Sequence, residues 1–228
     1  MKIYAISDLH LSINNPKPMN IFGEVWDNYL GSIESSLESV GRDDLVLLAG
    51  DLSWAMTLEA AAPDLSYIGG YPGKKVIIRG NHDYWWKGIT AVRKALPENV
   101  YAIQNDCLRI DDCLLCGSRG WSADDKSEDG KRLYARELLR IEMSLKEMEK
   151  QRREGDRVIF MIHYPPFTAR FEDNAVTDLF VKYGVNAVVY GHLHGKDCRS
   201  KTFLCKNGIK YYLTSCDMVG NRAVEISV

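Results

Sequence analysis

The sequence predicts an α/β protein in which two β-sheets pack face to face and helices cover them. Short, uninterrupted apolar runs alternate with segments of helical periodicity, and closely spaced β-like runs follow near residue 100 and after residue 200. Uninterrupted apolar runs are typical of strands buried on both faces. The 228 residues, 46% hydrophobic and 26% charged, have the make-up of one globular domain spanning residues 1–228.

The amino-terminal part of the chain supplies the first strand and the first helix. Residues 2–6 are β-branched and aromatic and end in polar Ser7 and Asp8, as expected for a buried strand that enters a loop. From Ile21, apolar residues recur every three or four positions, which predicts a helix that ends at Gly41. The stripe consists of Ile21, Phe22, Val25, Trp26, Tyr29, Ile33, Leu37 and Val40.

The middle of the chain contains two further apolar strands, a group of β-like runs and the longest helix. A helical stretch from Thr57, interrupted around Pro63, separates the two strands, and another helix follows the second strand. The β-like runs suggest an antiparallel part of a sheet. A mobile loop rich in Gly, Ser and Asp then leads into the long helix, together covering about residues 117–154. The predicted strands are 45–49 and 75–78, the β-like runs 100–103, 107–110 and 113–116, and the helices 87–96 and 131–154.

The last part of the chain repeats the strand pattern twice and ends in paired strands. The two apolar runs are residues 157–162 and 185–190, and a helix around residues 172–183 lies between them. The tail is predicted to form hairpin strands with a turn at Asn207 and Gly208. These tail strands are residues 202–204, 210–214 and 223–228.

Charge and cysteine content restrict the classes of function. A net charge of −2 provides no global field for nucleic acid or anionic membranes, so nucleic acid is not an expected partner. The absence of a signal-like segment, and of any apolar run near the roughly 20 residues of a membrane helix, predicts a cytoplasmic protein without a membrane partner. Cys113 and Cys116 have the spacing of a redox or zinc motif, but they fall on one strand and face opposite sides, which favours buried free thiols.

All five histidines follow apolar runs, which indicates a metal site. The carboxyl ends of strands in one sheet converge at one edge, so donors far apart in sequence meet there. Seven nitrogen and oxygen donors without a thiolate suit divalent Mn, Fe, Zn, Co or Ni, and two ions that share a carboxylate use seven donors better than one ion does. The candidates are Asp8, His10, Asp51, Asn81, His163, His192 and His194, with His82 and Asp83 beside Asn81.

The order of these motifs resembles the signature of the calcineurin-like metallophosphoesterases, in particular the branch of small bacterial-type phosphohydrolases and phosphodiesterases. The resemblance spans residues 8–194. It implies a four-layer α/β/β/α sandwich with two mixed β-sheets flanked by helices. The motifs are Asp8-Leu-His10, Gly50-Asp51, Gly80-Asn81-His82-Asp83, His163 and Gly191-His192-Leu-His194.

The resemblance also implies roles for these residues. Asp51 would bridge two divalent ions, which would activate a bridging water for in-line attack on phosphorus. His82 would protonate the leaving alkoxide, and Asp83 would orient the imidazole of His82. One ion would be held by Asp8, His10, Asp51 and His194, and the other by Asp51, Asn81, His163 and His192.

Departures from subfamily patterns narrow the expected substrate. Protein Ser/Thr phosphatases of this superfamily carry Gly-Asp-x-Val-Asp-Arg-Gly, whereas Asp51 here is followed by Leu52-Ser53-Trp54. Lipid-precursor pyrophosphohydrolases of the superfamily commonly have arginine where His82 stands. The expectation is therefore a phosphodiesterase acting on a small phosphorylated substrate. The alternatives are a phosphomonoesterase, a nuclease, or a non-catalytic protein-interaction scaffold; the oligomeric state stays open.

Three residues are candidate substrate contacts. Arg119 has the geometry to clamp a phosphate oxygen, and the indole of Trp121 can stack on a base or sugar. Tyr164 follows His163 at the start of a stiff Tyr-Pro-Pro turn and is a candidate contact at the rim. For Trp54 and Trp85, packing of the ligand-bearing loops is the favoured role.

Overall fold

Two mixed β-sheets lie face to face, with helices on the outer face of each, in the computed structural model, which describes residues 1–228. The strands are β1 (Ile3–Ala5), β2 (Leu45–Leu48), β3 (Lys74–Ile77), β4 (Val100–Ala102), β5 (Cys107–Ile110), β6 (Cys113–Ser118), β7 (Arg157–Ile162), β8 (Ala187–Tyr190), β9 (Phe203–Lys206), β10 (Ile209–Leu213) and β11 (Val224–Glu225). The helices are α1 (Tyr29–Glu38), α2 (Leu58–Gly69), α3 (Ile89–Ala95), α4 (Glu128–Glu149) and α5 (Ala175–Lys182).

Each sheet combines parallel central strands with antiparallel edges. The first sheet has the order β11-β1-β2-β3-β4, and only the β11–β1 pair is antiparallel. The second has the order β5-β6-β7-β8-β10-β9, with antiparallel pairs β5–β6 and β9–β10. The carboxyl ends of the parallel strands therefore come together along one edge of each sheet.

Alternate residues of the central strands enter different apolar cores. In β6, Cys113 and Leu115 belong to the core between the two sheets, whereas Leu114 and Cys116 belong to the core under α4 and α5. A third core lies between the first sheet and α1, α2 and α3. Because both faces of each central strand are covered, the runs are apolar throughout. The predicted four-layer α/β/β/α sandwich is confirmed.

The cysteine prediction is also confirmed. Cys113 and Cys116 are both buried free thiols, and they point to opposite faces of β6. None of the helices combines the length and the apolar character needed to cross a membrane.

The predicted first helix is much shorter than its apolar stripe. The chain forms two 3-10 turns, Met19–Phe22 and Glu24–Trp26, before α1 begins. Gly23 and Asn28 have φ angles of 127° and 49°, which interrupt the right-handed helical path. The predicted helix from Ile21 to Gly41 is therefore wrong before residue 29.

Two other observed helices differ from the prediction, α2 in its interior and α4 at both ends. Helix α2 is continuous through Pro63 and is capped by the Thr57 side chain, which accepts a hydrogen bond from the Ala60 amide at 3.2 Å. Helix α4 begins at Glu128 because Ser127 caps it through the Gly130 amide, and it ends at Glu149 instead of residue 154.

Two strand assignments also differ from the prediction. Strand β4 does not join the antiparallel β5–β6 pair but adds in parallel to β3 in the first sheet. The turn at Asn207 and Gly208 joins β9 to β10 as predicted, with φ of 53° and 77°, the left-handed conformations of a tight hairpin turn. Strand β11 leaves the hairpin and pairs with β1 in the other sheet.

Candidate metal centre

All seven candidate donors lie in the loops that follow β1, β2, β3, β7 and β8, at the convergent edge of the two sheets. The two sheets meet at this edge through backbone hydrogen bonds. The Ser7 amide donates to the Thr214 carbonyl at 2.7 Å, and the Cys216 amide donates to the Ser7 carbonyl at 3.0 Å. The donors are Asp8, His10, Asp51, Asn81, His163, His192 and His194.

One group of donors consists of Asp8, His10 and His194. Their ligand atoms all lie within 4.8 Å of one another. His194 Nε2 lies 3.2 Å from Asp8 Oδ1. The Nδ1 atom of His10 is buried without a hydrogen-bond partner and is therefore free to bind a cation.

A second group consists of Asp8, Asp51 and His163, whose ligand atoms also lie within 4.8 Å of one another. His163 Nε2 lies 3.5 Å from Asp51 Oδ2. Asn81 and His192 extend this group, because Asn81 Oδ1 lies 2.6 Å from His163 Nε2 and 2.8 Å from His192 Nδ1. The carboxylate common to both compact groups is Asp8, whereas the family resemblance gives the bridging position to Asp51.

Hydrogen bonds from outside the centre fix two of the imidazoles. His163 Nδ1 contacts the Ala49 carbonyl at 2.9 Å, so this nitrogen carries the proton and Nε2 presents its lone pair to the centre. His194 Nδ1 lies 2.9 Å from Asp217 Oδ1, and the other oxygen of Asp217 accepts from the Gly195 amide at 2.8 Å. Asp217 thus orients His194 and its loop together.

Sequence reasoning missed Asp217. It lies in a 3-10 turn, Cys216–Val219, that follows β10, and β10 runs parallel to β8. A signal was present, since Tyr211-Tyr212-Leu213 is another apolar run followed within a few residues by a carboxylate. The sequence predicts this run as a hairpin strand, and that prediction does not place its end at the edge that carries the donors.

The glycines of the motifs let the backbone approach the donor side chains. A Cβ atom on Gly191 would lie 2.2 Å from Asp8 Oδ2, and one on Gly80 would lie 2.1 Å from Asp51 Oδ1. Both separations are far inside van der Waals contact, so only glycine fits.

Several donors also have unusual backbone conformations. Asp8, His10, Asp51 and His192 have φ angles of 59°, 47°, 52° and 72°. Left-handed conformations of non-glycine residues are strained and are concentrated at functional sites.

The expected contact between Asp83 and His82 is absent. Asp83 is buried, and its oxygens accept from the amides of Gly80, Asp51, Leu52 and Ser53 and from Trp85 Nε1, at 2.7 to 3.2 Å. His82 Nδ1 is buried without a partner. The prediction that Asp83 orients His82 is therefore wrong. Asp83 instead ties the loop after β3 to the loop after β2, and Trp85 packs there as favoured from the sequence.

The charge states of the imidazoles are set by burial and by the neighbouring carboxylates. Burial lowers the pKa of His10 to about 3 and that of His192 to about 4, so both rings are neutral at pH 7. Burial opposes protonation of His194 as well, but Asp217 and Asp8 raise its pKa to about 10.

The carboxylates respond in opposite ways. Burial raises the pKa of Asp51 to about 9, and repulsion from Asp83 and Asp8 adds to this shift. Burial also acts against ionised Asp8, but contacts with His194 outweigh it and lower the pKa to about 2. Clustered carboxylates beside neutral imidazoles fit divalent cations, which bind the deprotonated forms of these groups.

The three candidate substrate contacts lie together beside His192. The ring centroids of His192 and Tyr164 are 4.2 Å apart, and the ring centroids of Tyr164 and Trp121 are 5.0 Å apart. The guanidinium carbon of Arg119 lies 5.3 Å from the Trp121 ring centroid. Trp54 stacks on His10, a donor of the other group, with centroids 4.7 Å apart. Aromatic side chains therefore contact donors of both groups.

A family model for calcineurin-like phosphoesterases matches residues 1–196, which include all seven donors. No curated protein matches the chain. Among solved structures, the phosphopantetheinyl hydrolase of Mycobacterium tuberculosis is 12% identical with a TM-score of 0.60, over 99% of this chain and 95% of that one. The TT1561 protein of Thermus thermophilus is 12% identical with a TM-score of 0.61, over 99% and 98% of the two chains. A protein of unknown function from Aquifex aeolicus is 17% identical with a TM-score of 0.50, over 98% and 95%. At these identities the solved structures show a shared fold.

Proposed function

Because the chain belongs to the calcineurin-like phosphoesterase family, we propose that it is a phosphodiesterase that uses two divalent metal ions to hydrolyse small-molecule phosphodiesters. The observation that carries this proposal is the convergence of nitrogen and oxygen donors in two overlapping groups at one edge of the sheets. A catalytic centre of two ions needs this number and type of donor.

The proposed ligands follow the motif order. One ion would be held by Asp8, His10, Asp51 and His194, and the other by Asp51, Asn81, His163 and His192. Such ions supply an activated water and stabilise charge on the attacking and leaving oxygens of a phosphoryl transfer. The buried, unpartnered Nδ1 of His10 and the neutral rings of His10 and His192 support this assignment.

His82 is the proposed proton donor to the leaving group. It is the one histidine outside the proposed ligand sets, and its ring centroid lies 5.7 Å from that of His10, so it faces the centre. Burial lowers the pKa of His82, which makes its protonated ring a stronger acid. Asp51 fixes the loop beneath it, because Asp51 Oδ1 accepts from the His82 amide at 2.7 Å.

Two pockets lie near the centre. One, of about 220 Å³, is lined by the donor His192 together with Phe167 and Leu193. The other, of about 610 Å³, is lined by Asp217, Val25 and Met218 and by none of the seven donors. The second volume falls within the roughly 300–1,000 Å³ of small-molecule pockets, and the first is smaller. The concave surface beside His192 supports a small phosphorylated substrate in preference to a folded protein.

Hydrolysis of bis-p-nitrophenyl phosphate tests the proposal. We expect the protein to release p-nitrophenolate when Mn²⁺ is added and to stop when a chelator removes the metal. A matched assay with p-nitrophenyl phosphate, at the same metal concentration, compares diester with monoester cleavage. Protein that binds two metal ions per chain but cleaves neither ester would contradict the proposal.

A further inference from the structure

A strongly basic pocket of about 270 Å³ lies between the ends of β3 and β6 and helix α4. Five of its lining side chains are basic and one is acidic, although the chain as a whole has a net charge of −2. These six are Arg79, Lys87, Arg119, Arg136, Arg140 and Glu137. They come from the ends of β3 and β6, the loop before α3, and α4, so no basic run in the sequence reveals them.

A buried carboxylate fixes two of the arginines. Glu137 Oε1 accepts from Arg140 Nη1 at 2.7 Å and from Arg136 Nη2 at 3.1 Å. The other oxygen of Glu137 accepts from Ser118 Oγ at 3.1 Å. Glu137 thus holds the arginines of α4 against the end of β6, at the wall of the pocket.

The other three basic side chains have no anionic partner. Arg79, Lys87 and Arg119 take part in none of the ion pairs, and Arg79 Nε is buried without any hydrogen-bond partner. Grouping like charges in a partly buried pocket is unfavourable unless an anion compensates them. The pocket therefore has the charge and the free donors of an anion site.

The pocket shares backbone with the metal centre. Arg79 is two residues before Asn81 in the chain. The Arg119 carbonyl accepts hydrogen bonds from the amides of His163 and Tyr164, both at 3.1 Å. The donors Asn81 and His163 are therefore tied through the backbone to Arg79 and Arg119, which line the pocket.

We propose that this pocket binds a second phosphate group of the substrate, so that the preferred substrates carry a phosphate in addition to the diester that is cleaved. Guanidinium groups pair with two phosphate oxygens at once, and several arginines on one pocket favour a dianionic phosphate over a single carboxylate. The assignment of this phosphate to the substrate rests on the proposed phosphodiesterase activity, whereas the anion-binding pocket itself does not.

Binding of inorganic phosphate to metal-depleted protein, measured by isothermal titration calorimetry, tests the pocket without turnover. We expect Lys87→Gln and Arg79→Gln each to weaken binding about tenfold, the effect of losing one charge-assisted hydrogen bond. Lys131→Gln is the matched control, since it removes one charge from α4 at an exposed side chain paired with Glu128. Absence of binding to the wild type, or equal binding by all four proteins, would overturn the proposal.

A pair of substrates tests the assignment to the substrate. Thymidine 5′-(p-nitrophenyl phosphate) with and without a 3′-phosphate has the same leaving group and differs by one phosphate. We expect kcat/KM to be about tenfold higher for the phosphorylated ester, and this ratio to fall towards one in Lys87→Gln and Arg79→Gln but not in Lys131→Gln.

The two assays separate the failures. Phosphate binding at the pocket with a substrate ratio of one in the wild type would show that free phosphate is the ligand and would overturn the assignment to the substrate. Phosphate binding that depends on Lys87 and Arg79, with neither ester hydrolysed, would establish the anion pocket while refuting the phosphodiesterase.

Discussion

At the scale of single residues, the carboxylate that orients an imidazole from outside the donor set is Asp217 and not Asp83. Asp83 does not contact the His82 ring but accepts hydrogen bonds from loop amides. Asp217 contacts the proposed ligand His194 in the way that Asp83 was expected to contact His82. The carboxylate that follows a histidine in the sequence is therefore not always the one that contacts its ring in the fold.

We expect His82→Asn to retain metal and to lose most activity on substrates whose leaving group needs a proton. Diesters with alkoxide leaving groups should slow by about 100-fold or more, and those with p-nitrophenolate by only a few-fold. Because the protonated ring is the acid, the wild-type rate on alkyl esters should fall as pH rises above the pKa of His82. Steady-state kinetics over a leaving-group series measure this, and an equal loss on all esters would remove His82 from the role.

For Asp217→Asn we expect the affinity for the metal ion at His194 to fall about 10- to 100-fold, because a carboxylate behind a ligating imidazole fixes its orientation and tautomer. Metal titration followed by metal analysis measures the change. Asp197→Asn is the control, since it removes the same charge from an exposed position three residues after His194. Equal affinities in the two variants would show that Asp217 does not support the centre.

At the scale of elements, the centre is built from the loops at the ends of five parallel strands, β1, β2, β3, β7 and β8. The sequence predicts these positions well because both faces of the central strands are buried, so the apolar runs are uninterrupted and their ends are sharp. It predicts β11 poorly, since a two-residue edge strand has no pattern of its own and is defined by its partner β1.

Helix boundaries show the same limit. The apolar stripe begins at Ile21, but Ile21, Phe22 and Val25 are exposed, so this part of the stripe does not mark a buried helical face. Trp26, in a 3-10 turn, and Tyr29, at the start of α1, are the first buried residues of the stripe. Only Gly23 and Asn28, which have positive φ angles, mark where the backbone departs from the α-helical conformation. Asp217 and the basic pocket were not predicted either, because both depend on which elements lie side by side.

A single methyl group added at Gly191 tests how closely the backbone after β8 packs on Asp8. Gly191→Ala places a Cβ atom 2.2 Å from Asp8 Oδ2, so we expect it to destabilise the fold by about 1–3 kcal/mol and to lower metal content. Gly88→Ala, where no atom lies within 4 Å, should cost less than about 1 kcal/mol. Urea denaturation measures both, and equal stabilities would contradict the close packing of Gly191 on Asp8.

At the scale of the whole molecule, the centre joins the two sheets, so metal binding and stability should be coupled. Ions that bind only the folded chain raise the free energy of unfolding, by about 2.7 kcal/mol at 100 times the dissociation constant. We expect the melting temperature to rise with Mn²⁺ and to fall with a chelator, and to respond little in Asp51→Asn. Calorimetry and metal analysis measure these effects, and two fully occupied sites in Asp51→Asn would refute the bridging role of Asp51.

The hydrogen bond from the Cys216 amide to the Ser7 carbonyl brings residues from both ends of the chain together beside the centre. Asp8 leaves the ribosome early, whereas Asp217, which orients His194, is made more than two hundred residues later. The first sheet also stays incomplete at β1 until β11 has been synthesised. Asp8 and His10 are therefore synthesised long before their partners in the centre, and we expect the complete centre to form only after most of the chain has left the ribosome. A chain truncated before residue 217 would lack the carboxylate that orients His194.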